Sequence, residues 1–379
     1  MKSSIRKLAK HIHIVAFDVP YPADYGGAID VFYRIKALHR LSVKVHLHCY
    51  EYGRGMPEEL KEYVEDIQYY RRRKTVIDWL NKLPFIVKTR SNKFLIRNLL
   101  KDDAPILFEG IHTTYFIGDE RLKNRIKIVR AHNIEHEYYN NLAEQASGVR
   151  KRFFRSEAKK LKAYEPILKH ADHILAIKPS DAAHLKQHCA STEVLPASLP
   201  DIGNPPFEST KPFFLFHGNL SVAENETGAI WLIENVFGQM EWCNKLLIAG
   251  KNPTQRLQDI CKEYGVMLTA NPSEEEMNTL IWLARVHVIY SEQDTGVKLK
   301  LINALRSNGH VIVNPNIVKG TDFANLCTIA FDAKDYIEYC KSFISMEVSH
   351  VELNPRHKFI EENLDTAVNC KRYLLPLIK

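Results

Sequence analysis

Short apolar runs alternate with amphipathic stretches along the first half of the chain. The apolar runs predict strands near 11–17, 43–49, 105–108, 126–130, 172–177 and 192–195. Helical patterns lie between them, near 27–41, 92–101, 134–146, 149–170 and 179–188. Nearly continuous apolar strands separated by amphipathic helices are typical of parallel sheets that helices cover on both faces. The first half therefore predicts a Rossmann-like α/β domain.

The second half repeats this alternation. Its apolar runs predict strands near 213–217, 245–249, 266–269, 286–290, 310–314 and 327–331. The segment 195–212 between the halves contains five prolines and has no periodicity, so it predicts an extended linker. We expect two domains, 1–204 and 205–359, followed by a final amphipathic segment. The fold class is α/β with two doubly wound parallel sheets.

The composition narrows the class of protein. Of 379 residues, 45% are apolar and 26% are charged, and no apolar run is long enough to cross a membrane. The seven cysteines are scattered without a C-x-x-C pair, which favours a reduced, cytoplasmic chain over a disulfide framework or structural zinc site.

The net charge of +7 is unevenly distributed. Residues 1–204 carry 35 Lys and Arg against 24 Asp and Glu, whereas residues 205–379 are net acidic. The basic half is a candidate for peripheral contact with an anionic membrane surface at the inner membrane face. The segment 83–101, which mixes apolar and basic residues, suits an interfacial helix. Alternatively, its apolar residues face the sheet and the lysines are solvated.

Three segments at predicted strand ends in the first half contain candidate site residues, because ligands of such sheets bind at the carboxyl ends of the strands. Gly26 and Gly27 open a helix, where amides approach a phosphate without interference from a Cβ atom; the alternative is a plain turn. Glu109 and His112 follow another strand, and both are candidates to face a site between the domains.

The third segment, VRAHNIEHEYYN, places polar groups directly after a strand. His132, Asn133 and Glu135 are candidates for recognising hydroxyl groups. Asn133 is also a candidate helix N-cap. His132 and His136, four residues apart, would share one helix face as metal ligands, but no third ligand is evident, so we expect no metal.

The second half contains VIYSEQDTGVKLKLINALRSNGHVIVN, in which a polar loop leads from a strand into a helix. The helix N-terminus near Gly296 offers amides and a dipole to an anion, and Lys298 or Lys300 adds point charge. The alternative is that these are surface lysines. Nearer the linker, His217, Gly218 and Asn219 turn off the first strand of this half. The chain has no G-x-G-x-x-G and no P-loop, which argues against NAD enzymes and P-loop NTPases.

These segments, in this order, resemble the retaining, nucleotide-sugar-dependent glycosyltransferases of the GT-B fold (the family-4-like, group 1 enzymes). PYPADYGGAIDVFYRIKAL resembles the first loop of the family, and HNIEHEYY with LKAYEPILKHADHILAIKPSDA resembles its HN-x-E and YE region. FHGNLSVAENETGAIWLIENVF and DTGVKLKLINALRSNGHVIVN resemble the start and the phosphate-binding part of its nucleotide domain. The resemblance covers nearly the whole chain.

The resemblance implies a first domain that holds the acceptor and a second that holds the sugar nucleotide, with a cleft between them and a terminal helix, 360–379, that returns to the first domain. It implies a hexose transfer with retention to a hydroxyl of a glycan or lipid-linked saccharide, without metal or cofactor and without nucleic acid. The implied catalytic residues are His112 and Lys300. The implied donor-binding residues are Gly26, Gly27, Gly218, Asn219, Thr295, Gly296, Lys298 and Asn303. The implied acceptor-binding residues are His132, Asn133 and Glu135.

The chain departs from the family at two donor positions. Asn303 stands where the family has a glutamate that accepts both ribose hydroxyls, and losing that charge costs about 1–2 kcal/mol of donor affinity. Thr295 replaces an acidic residue. These departures favour one alternative, a non-catalytic GT-B module that binds a sugar nucleotide or glycan as a partner subunit. A nucleotide-sugar epimerase is a further alternative.

Overall fold

The computed structural model of the protein describes residues 10–72, 75, 78–79, 81–200, 210–294 and 298–378. The chain divides into two units, Met1–Pro200 together with Leu364–Lys379, and Asp201–Asn363. Each unit is built around one parallel sheet, so the α/β class predicted from the sequence is confirmed. No helix in the described part of the chain is long and apolar enough to cross a membrane.

The first unit contains a seven-stranded sheet in the order β3-β2-β1-β4-β5-β6-β7. Its strands are β1 (Lys10–Ala16), β2 (Val43–Glu51), β3 (Asp66–Arg71), β4 (Ile106–Glu109), β5 (Lys127–Ala131), β6 (His173–Ala176) and β7 (Thr192–Val194). Its helices are α1 (Gly26–Arg40), α2 (Phe85–Lys88), α3 (Lys93–Leu99), α4 (Glu135–Gln145), α5 (Gly148–Tyr164) and α6 (Pro179–Leu185). Short 3₁₀ helices include Ile111–Phe116, after β4, and Glu165–His170, after α5.

The second unit contains a six-stranded parallel sheet in the order β10-β9-β8-β11-β12-β13. Its strands are β8 (Lys211–Asn219), β9 (Leu246–Lys251), β10 (Met267–Ala270), β11 (Ala284–Ile289), β12 (His310–Val313) and β13 (Thr328–Ile329). Its helices are α7 (Ala223–Asn235), α8 (Gln255–Tyr264), α9 (Glu274–Leu283), α10 (Leu299–Leu305), α11 (Pro315–Val318), α12 (Ala333–Phe343) and α13 (His350–Leu364), which ends at the boundary.

The end of the chain packs into the core of the first unit. After α13 the short helix α14 (Thr366–Asn369) and the turns up to Ile378 place Cys370, Leu374 and Ile378 among the buried side chains of β1, β2 and α1. Burial of these apolar side chains fixes this segment to the first unit.

Two segments differ from a sequence prediction: 195–200, which the sequence predicts as part of an extended linker, and 83–101, for which an interfacial helix is one of two alternatives. Residues 195–200 have no regular structure, but Leu195, Ala197 and Leu199 are buried. Segment 83–101 is not one interfacial helix. It forms α2 and α3, and the apolar side chains Leu95, Ile96 and Leu99 face the core.

Candidate functional site

In the first unit the sheet order changes direction between β1 and β4, and the carboxyl ends of these two strands form its switch point. Ligands of open α/β sheets bind at this place. The chain leaves β1 through Phe17 towards α1, which begins at Gly26. It leaves β4 through Gly110 into the 3₁₀ helix that contains His112. The predicted glycines and His112 therefore lie on the two segments that flank the switch point.

The ring of Phe17 brings three predicted site residues together. A Cβ atom on Gly27 would lie 2.7 Å from Cζ of Phe17, so only glycine fits beside the ring at the start of α1. The ring centroids of His112 and His132 each lie 5.3 Å from that of Phe17. Three segments distant in sequence thus meet around one aromatic side chain, and Gly26 lies exposed next to them.

His112 is held as a neutral imidazole. Burial, with the positive charge of Arg90 nearby, keeps the pKa of His112 well below the ordinary value of 6.5. Its Nδ1 atom is buried and has no hydrogen-bond partner among the described residues. A buried nitrogen without a partner is costly.

Glu109 and His132 belong to a buried ion network rather than to an open surface. Nε2 of His132 lies 2.9 Å from Glu109 Oε2, and Arg34 Nη2 donates to the same carboxylate at 3.2 Å. The other carboxylate of the network is Asp30, which accepts from Arg34 at 2.8 Å and from Arg130 Nε at 3.0 Å. Glu109 is fully buried and bonded within this network, and its role towards a ligand stays a prediction.

The same network contains a set of possible metal ligands. Donor atoms of Asp30, Glu109 and His132 lie within 4.8 Å of one another. Two carboxylates are already balanced there by the guanidinium groups of Arg34 and Arg130. A divalent cation would add charge to a balanced cluster, so we do not assign a metal to it.

Asn133 and Glu135 lie at the start of α4. The N-cap residue of α4 is Ile134, so Asn133 does not cap the helix; its side chain instead acts on the Glu135 carboxyl and lowers its pKa. Burial raises the pKa of Glu135 to about 7, although Asn133 and Arg90 act in the opposite direction. Glu135 can therefore gain or lose a proton near neutral pH.

The proposed pairing of His132 with His136 on one helix face is wrong, because α4 begins only at Glu135. His132 contacts Glu109, whereas His136 Nδ1 lies 3.0 Å from Glu165 Oε2. The two histidines belong to separate clusters.

In the second unit the switch point lies between β8 and β11, which are neighbours in the sheet. His217, Gly218 and Asn219 are the last three residues of β8, so they end the strand instead of turning away from it. Gly218 has φ of +157°, and a Cβ atom there would lie 3.1 Å from Asn225 Nδ2. Asn225 in the first turn of α7 donates to the carbonyl of Asn219 at 2.9 Å.

Lys298 and Lys300 both point into this switch point and are not surface lysines. Lys298 Nζ lies 2.7 Å from Glu224 Oε1, and its side chain is only 10% exposed. Lys300 Nζ donates to Asn225 Oδ1 at 2.8 Å and lies 4.6 Å from the centroid of the Phe216 ring. Burial lowers the pKa of Lys300 to about 8, with Lys298 acting in the same direction and Glu224 against it.

The helix that carries these lysines begins later than predicted. The N-cap residue of α10 is Lys298, and the helix has seven residues, Leu299–Leu305. Thr295 and Gly296 lie outside the described residues. Asn303 is half-buried three residues after Lys300, a spacing that places both side chains on the same helix face.

The sequence did not indicate five residues that support these sites; three of them are charged residues in helices, which are usually solvated. The five residues are Phe17, Asp30, Arg34, Arg130 and Glu224. One signal was available, since Arg130 interrupts the apolar strand KIVRA. A charge within a strand that is buried on both faces must be paired there.

No family model matches the chain. A Klebsiella pneumoniae protein described as an uncharacterized 44.6 kDa protein in the cps region is 28% identical over 382 residues, covering 94% of this chain and 96% of that one. A glycosyltransferase of Rickettsia africae superposes with a TM-score of 0.65 at 13% identity, covering 98% of both chains. Anabaena HepE, in complex with UDP and glucose, superposes with a TM-score of 0.63 at 11% identity, covering 97% of this chain and 99% of that one.

The chain has the GT-B fold. The expectation drawn from the order of the sequence motifs is therefore confirmed for the fold. Both switch points described above belong to Rossmann-like units of this GT-B chain.

Proposed function

We propose that the protein is a retaining glycosyltransferase that moves a hexose from a nucleoside-diphosphate sugar to a hydroxyl group of a glycan or lipid-linked saccharide. The bond between the anomeric carbon and the phosphate oxygen breaks, a bond to the acceptor oxygen forms on the same face of the sugar, and the proton of the acceptor hydroxyl goes to the leaving diphosphate. The UDP and glucose of HepE support this class of donor. The cps region of the Klebsiella relative supports a place in polysaccharide biosynthesis.

The observation that carries the proposal is the buried charge of Lys300 at the switch point of the second unit. Its ammonium group donates to the neutral amide of Asn225 rather than to a carboxylate, and only 8% of the residue is exposed. Glu224 offsets the cost of burial only in part, since the pKa of Lys300 is still lowered, so the buried ammonium destabilises the protein and an arriving anion would relieve that cost. A diphosphate supplies that anion, and Lys298 at the start of α10 adds to the attraction.

The remaining predicted residues receive roles within this proposal. Gly218 and Asn219 line the donor site at the end of β8, and Asn303 meets the ribose. In the first unit, the amides of Gly26 and Gly27 contact an anion, His112 accepts from a sugar hydroxyl, and the acceptor site includes His132, Asn133 and Glu135. The lysines stabilise the leaving diphosphate, so no metal is needed and added Mg²⁺ or Mn²⁺ should not raise turnover.

The test begins with the thermal unfolding of the full chain in millimolar UDP, GDP, ADP, TDP or CMP. A nucleotide at 100 times its Kd adds about 2.7 kcal/mol of stability, a shift of several degrees. We expect one nucleoside diphosphate to raise the Tm. No response to any of the five would count against a donor site. With the matching sugar nucleotide, the anomeric configuration of the product is then read by NMR; inversion would contradict retention.

Variants at Lys300 separate binding from folding. Lys300→Met shortens the side chain by one atom and removes the charge, so we expect an unchanged or higher Tm with at least tenfold weaker nucleotide binding. Lys300→Ala should lower turnover tenfold or more. Lys334→Ala, on the exposed surface of α12, is the matched control and should change neither quantity. Equal nucleotide affinity in Lys300→Met and the parent chain would remove Lys300 from the site.

The presence of Asn303 favours a second candidate, a non-catalytic module that binds a sugar nucleotide for a partner subunit. The amide accepts hydrogen bonds from the ribose more weakly than a carboxylate would. Asn303→Glu should tighten nucleotide binding roughly five- to thirtyfold, which corresponds to about 1–2 kcal/mol. Hydrolysis of the sugar nucleotide by the isolated parent chain would reject the non-catalytic alternative. An epimerised sugar formed without an acceptor would instead indicate an epimerase.

A further inference from the structure

Three histidines surround one carboxylate on the first unit, away from the residues used above for donor binding. His136 Nδ1 lies 3.0 Å from Glu165 Oε2. His184 Nε2 and His188 Nε2 lie 2.8 Å and 2.9 Å from the other oxygen, Oε1. His136 and Glu165 are buried, and the side chains of His184 and His188 are 30% and 14% exposed. This group of four residues is called the His₃Glu cluster.

We propose that the His₃Glu cluster binds a transition-metal ion of the Zn²⁺ class. Donor atoms of His136, Glu165 and His184 already lie within 4.8 Å of one another. Zn²⁺ binds imidazole nitrogen and carboxylate oxygen at about 2.0–2.2 Å, which places ligand atoms of a tetrahedral site about 3.3 Å apart. The observed separations of the three imidazole nitrogens from the Glu165 oxygens differ from that value by about half an ångström or less. His136, Glu165 and His184 form the core of the site, and His188 is the fourth candidate ligand.

The charge around the cluster distinguishes it from the other candidate set, Asp30, Glu109 and His132. There, two arginines neutralise the carboxylates. Glu165, by contrast, is bonded to imidazoles. A divalent ion at Glu165 is therefore neutralised by one carboxylate charge, whereas at Asp30 and Glu109 the arginines have already taken up the carboxylate charge and the whole charge of the ion would be in excess.

Binding requires a change of tautomer, and the protons balance without an external acid or base. Each imidazole directs one ring nitrogen at Glu165. In a neutral ring that donates a hydrogen bond to the carboxylate, this nitrogen carries the ring's only N–H proton. When the metal arrives, each proton is carried by the other nitrogen of its ring: Nε2 of His136, and Nδ1 of His184 and His188. The freed lone pairs and the carboxylate then bind the ion, and no redox step is involved.

The cluster joins three elements of the fold. His136 is in the first turn of α4, Glu165 starts the 3₁₀ helix after α5, and His184 is in α6 with His188 just beyond it. The metal would fix the start of α4, which directly follows His132 and Asn133. The role of the metal is thus to position the start of α4, and metal binding is independent of the lysines in the second unit.

The experiment uses the full chain after removal of metal with a chelator. Titration with Zn²⁺ alone should give one site per chain and raise the Tm by several degrees at 100 times its Kd. Titration with Co²⁺ should give the visible absorption of a four- or five-coordinate ion. His184→Gln and His188→Gln, both at partly exposed positions, should each weaken Zn²⁺ binding at least tenfold. Glu165→Gln should weaken it as well.

His46→Gln is the matched control, because it removes a histidine from a different cluster, in which His46 contacts His11 and Asp66. This variant should bind Zn²⁺ like the parent chain. The proposal is overturned if no Co²⁺ absorption appears, if His184→Gln and His188→Gln bind Zn²⁺ unchanged, or if binding is lost in His46→Gln. The Tm of each of the four variants without metal provides the check on folding, because all four residues lie in the first unit.

Discussion

The buried ion network around Asp30 leads to a sharp prediction about stability. Asp30 lies in α1 and accepts hydrogen bonds from Arg34 at 2.8 Å, from Arg130 at 3.0 Å and from the backbone amide of Ser198 at 2.6 Å. The side chains of Asp30, Arg34 and Arg130 are at most 2% exposed. Burial raises the pKa of Asp30, but the guanidinium groups of Arg130 and Arg34 outweigh it and hold this pKa well below its usual range.

Asp30→Asn keeps the shape and removes the charge. Arg34 then keeps one charged partner, Glu109, and Arg130 keeps the backbone carbonyls of Leu195 and Pro196. The NH₂ group of the new asparagine also faces N–H donors that the Asp30 carboxylate accepts from. Breaking a buried ion pair by removing one partner costs about 3–5 kcal/mol. For a unit of this size, that loss corresponds to a fall in Tm of roughly 6–20 °C.

The assay is urea unfolding of the full chain, with the free energy of unfolding taken from the transition of the first unit. Glu58→Gln is the control. It removes the exposed ion pair with Lys61 and should change the free energy by less than about 0.5 kcal/mol. The double variant Asp30→Asn/Arg130→Met should cost less than the two single changes together, because it restores the balance of charge. A cost below about 1 kcal/mol for Asp30→Asn, or strict additivity in the double variant, would refute the reasoning.

Three shorter predictions concern packing, pH and surface. Gly228→Ala should destabilise the second unit by about 1–3 kcal/mol despite the better helix propensity of alanine, because its Cβ would lie 2.5 Å from the carbonyl oxygen of Tyr290; an unchanged Tm would contradict this. Burial lowers the pKa of His217 from 6.5 to about 3, so below about pH 6.5 the unfolded chain takes up a proton that the folded chain does not. The free energy of unfolding should therefore fall by about 1.4 kcal/mol per pH unit below pH 6.5; urea midpoints equal at pH 7 and 5 would contradict this. If the basic first half contacts anionic lipid, the full chain should float with anionic liposomes, and Phe94→Ser, which removes a 60% exposed ring beside Arg97, should float less; a parent chain left in the soluble fraction would reject the contact.

The fold was predictable because parallel strands covered on both faces are continuous apolar runs. Runs such as HIHIVAF and VHVIY lie in β1 and β11. The pattern missed β3, whose sequence DIQYYR has no apolar run. β3 is an edge strand, and five of its six side chains are exposed or half-buried, so the two-face burial that produces the signal is absent.

The candidate site was only partly predictable from the sequence. Strand ends indicated Gly27, His112 and Lys300, because topology alone brings those positions to one edge of each sheet. The partners of these residues depend on side-chain burial, which local sequence does not reveal. Asp30 and Arg34, four residues apart in α1, have the spacing of a solvated surface pair, yet both are buried.

The buried charges at the two switch points have opposite effects on the stability of the folded chain. In the first unit, two carboxylates and two arginines cancel, so the network stabilises the folded chain, and Asp30→Asn should only weaken it. In the second unit, Lys300 faces an amide, and its pKa of about 8 against 10.5 corresponds to a penalty on the order of 3 kcal/mol. The sign follows from linkage: the penalty is complete below about pH 8 and is relieved as the pH rises towards 10.5. Lys300→Met should therefore gain stability at pH 7 where Asp30→Asn loses it. A buried charge whose removal stabilises the fold but abolishes nucleotide binding is retained for its ligand, whereas loss of stability in both variants would assign Lys300 to the structure alone.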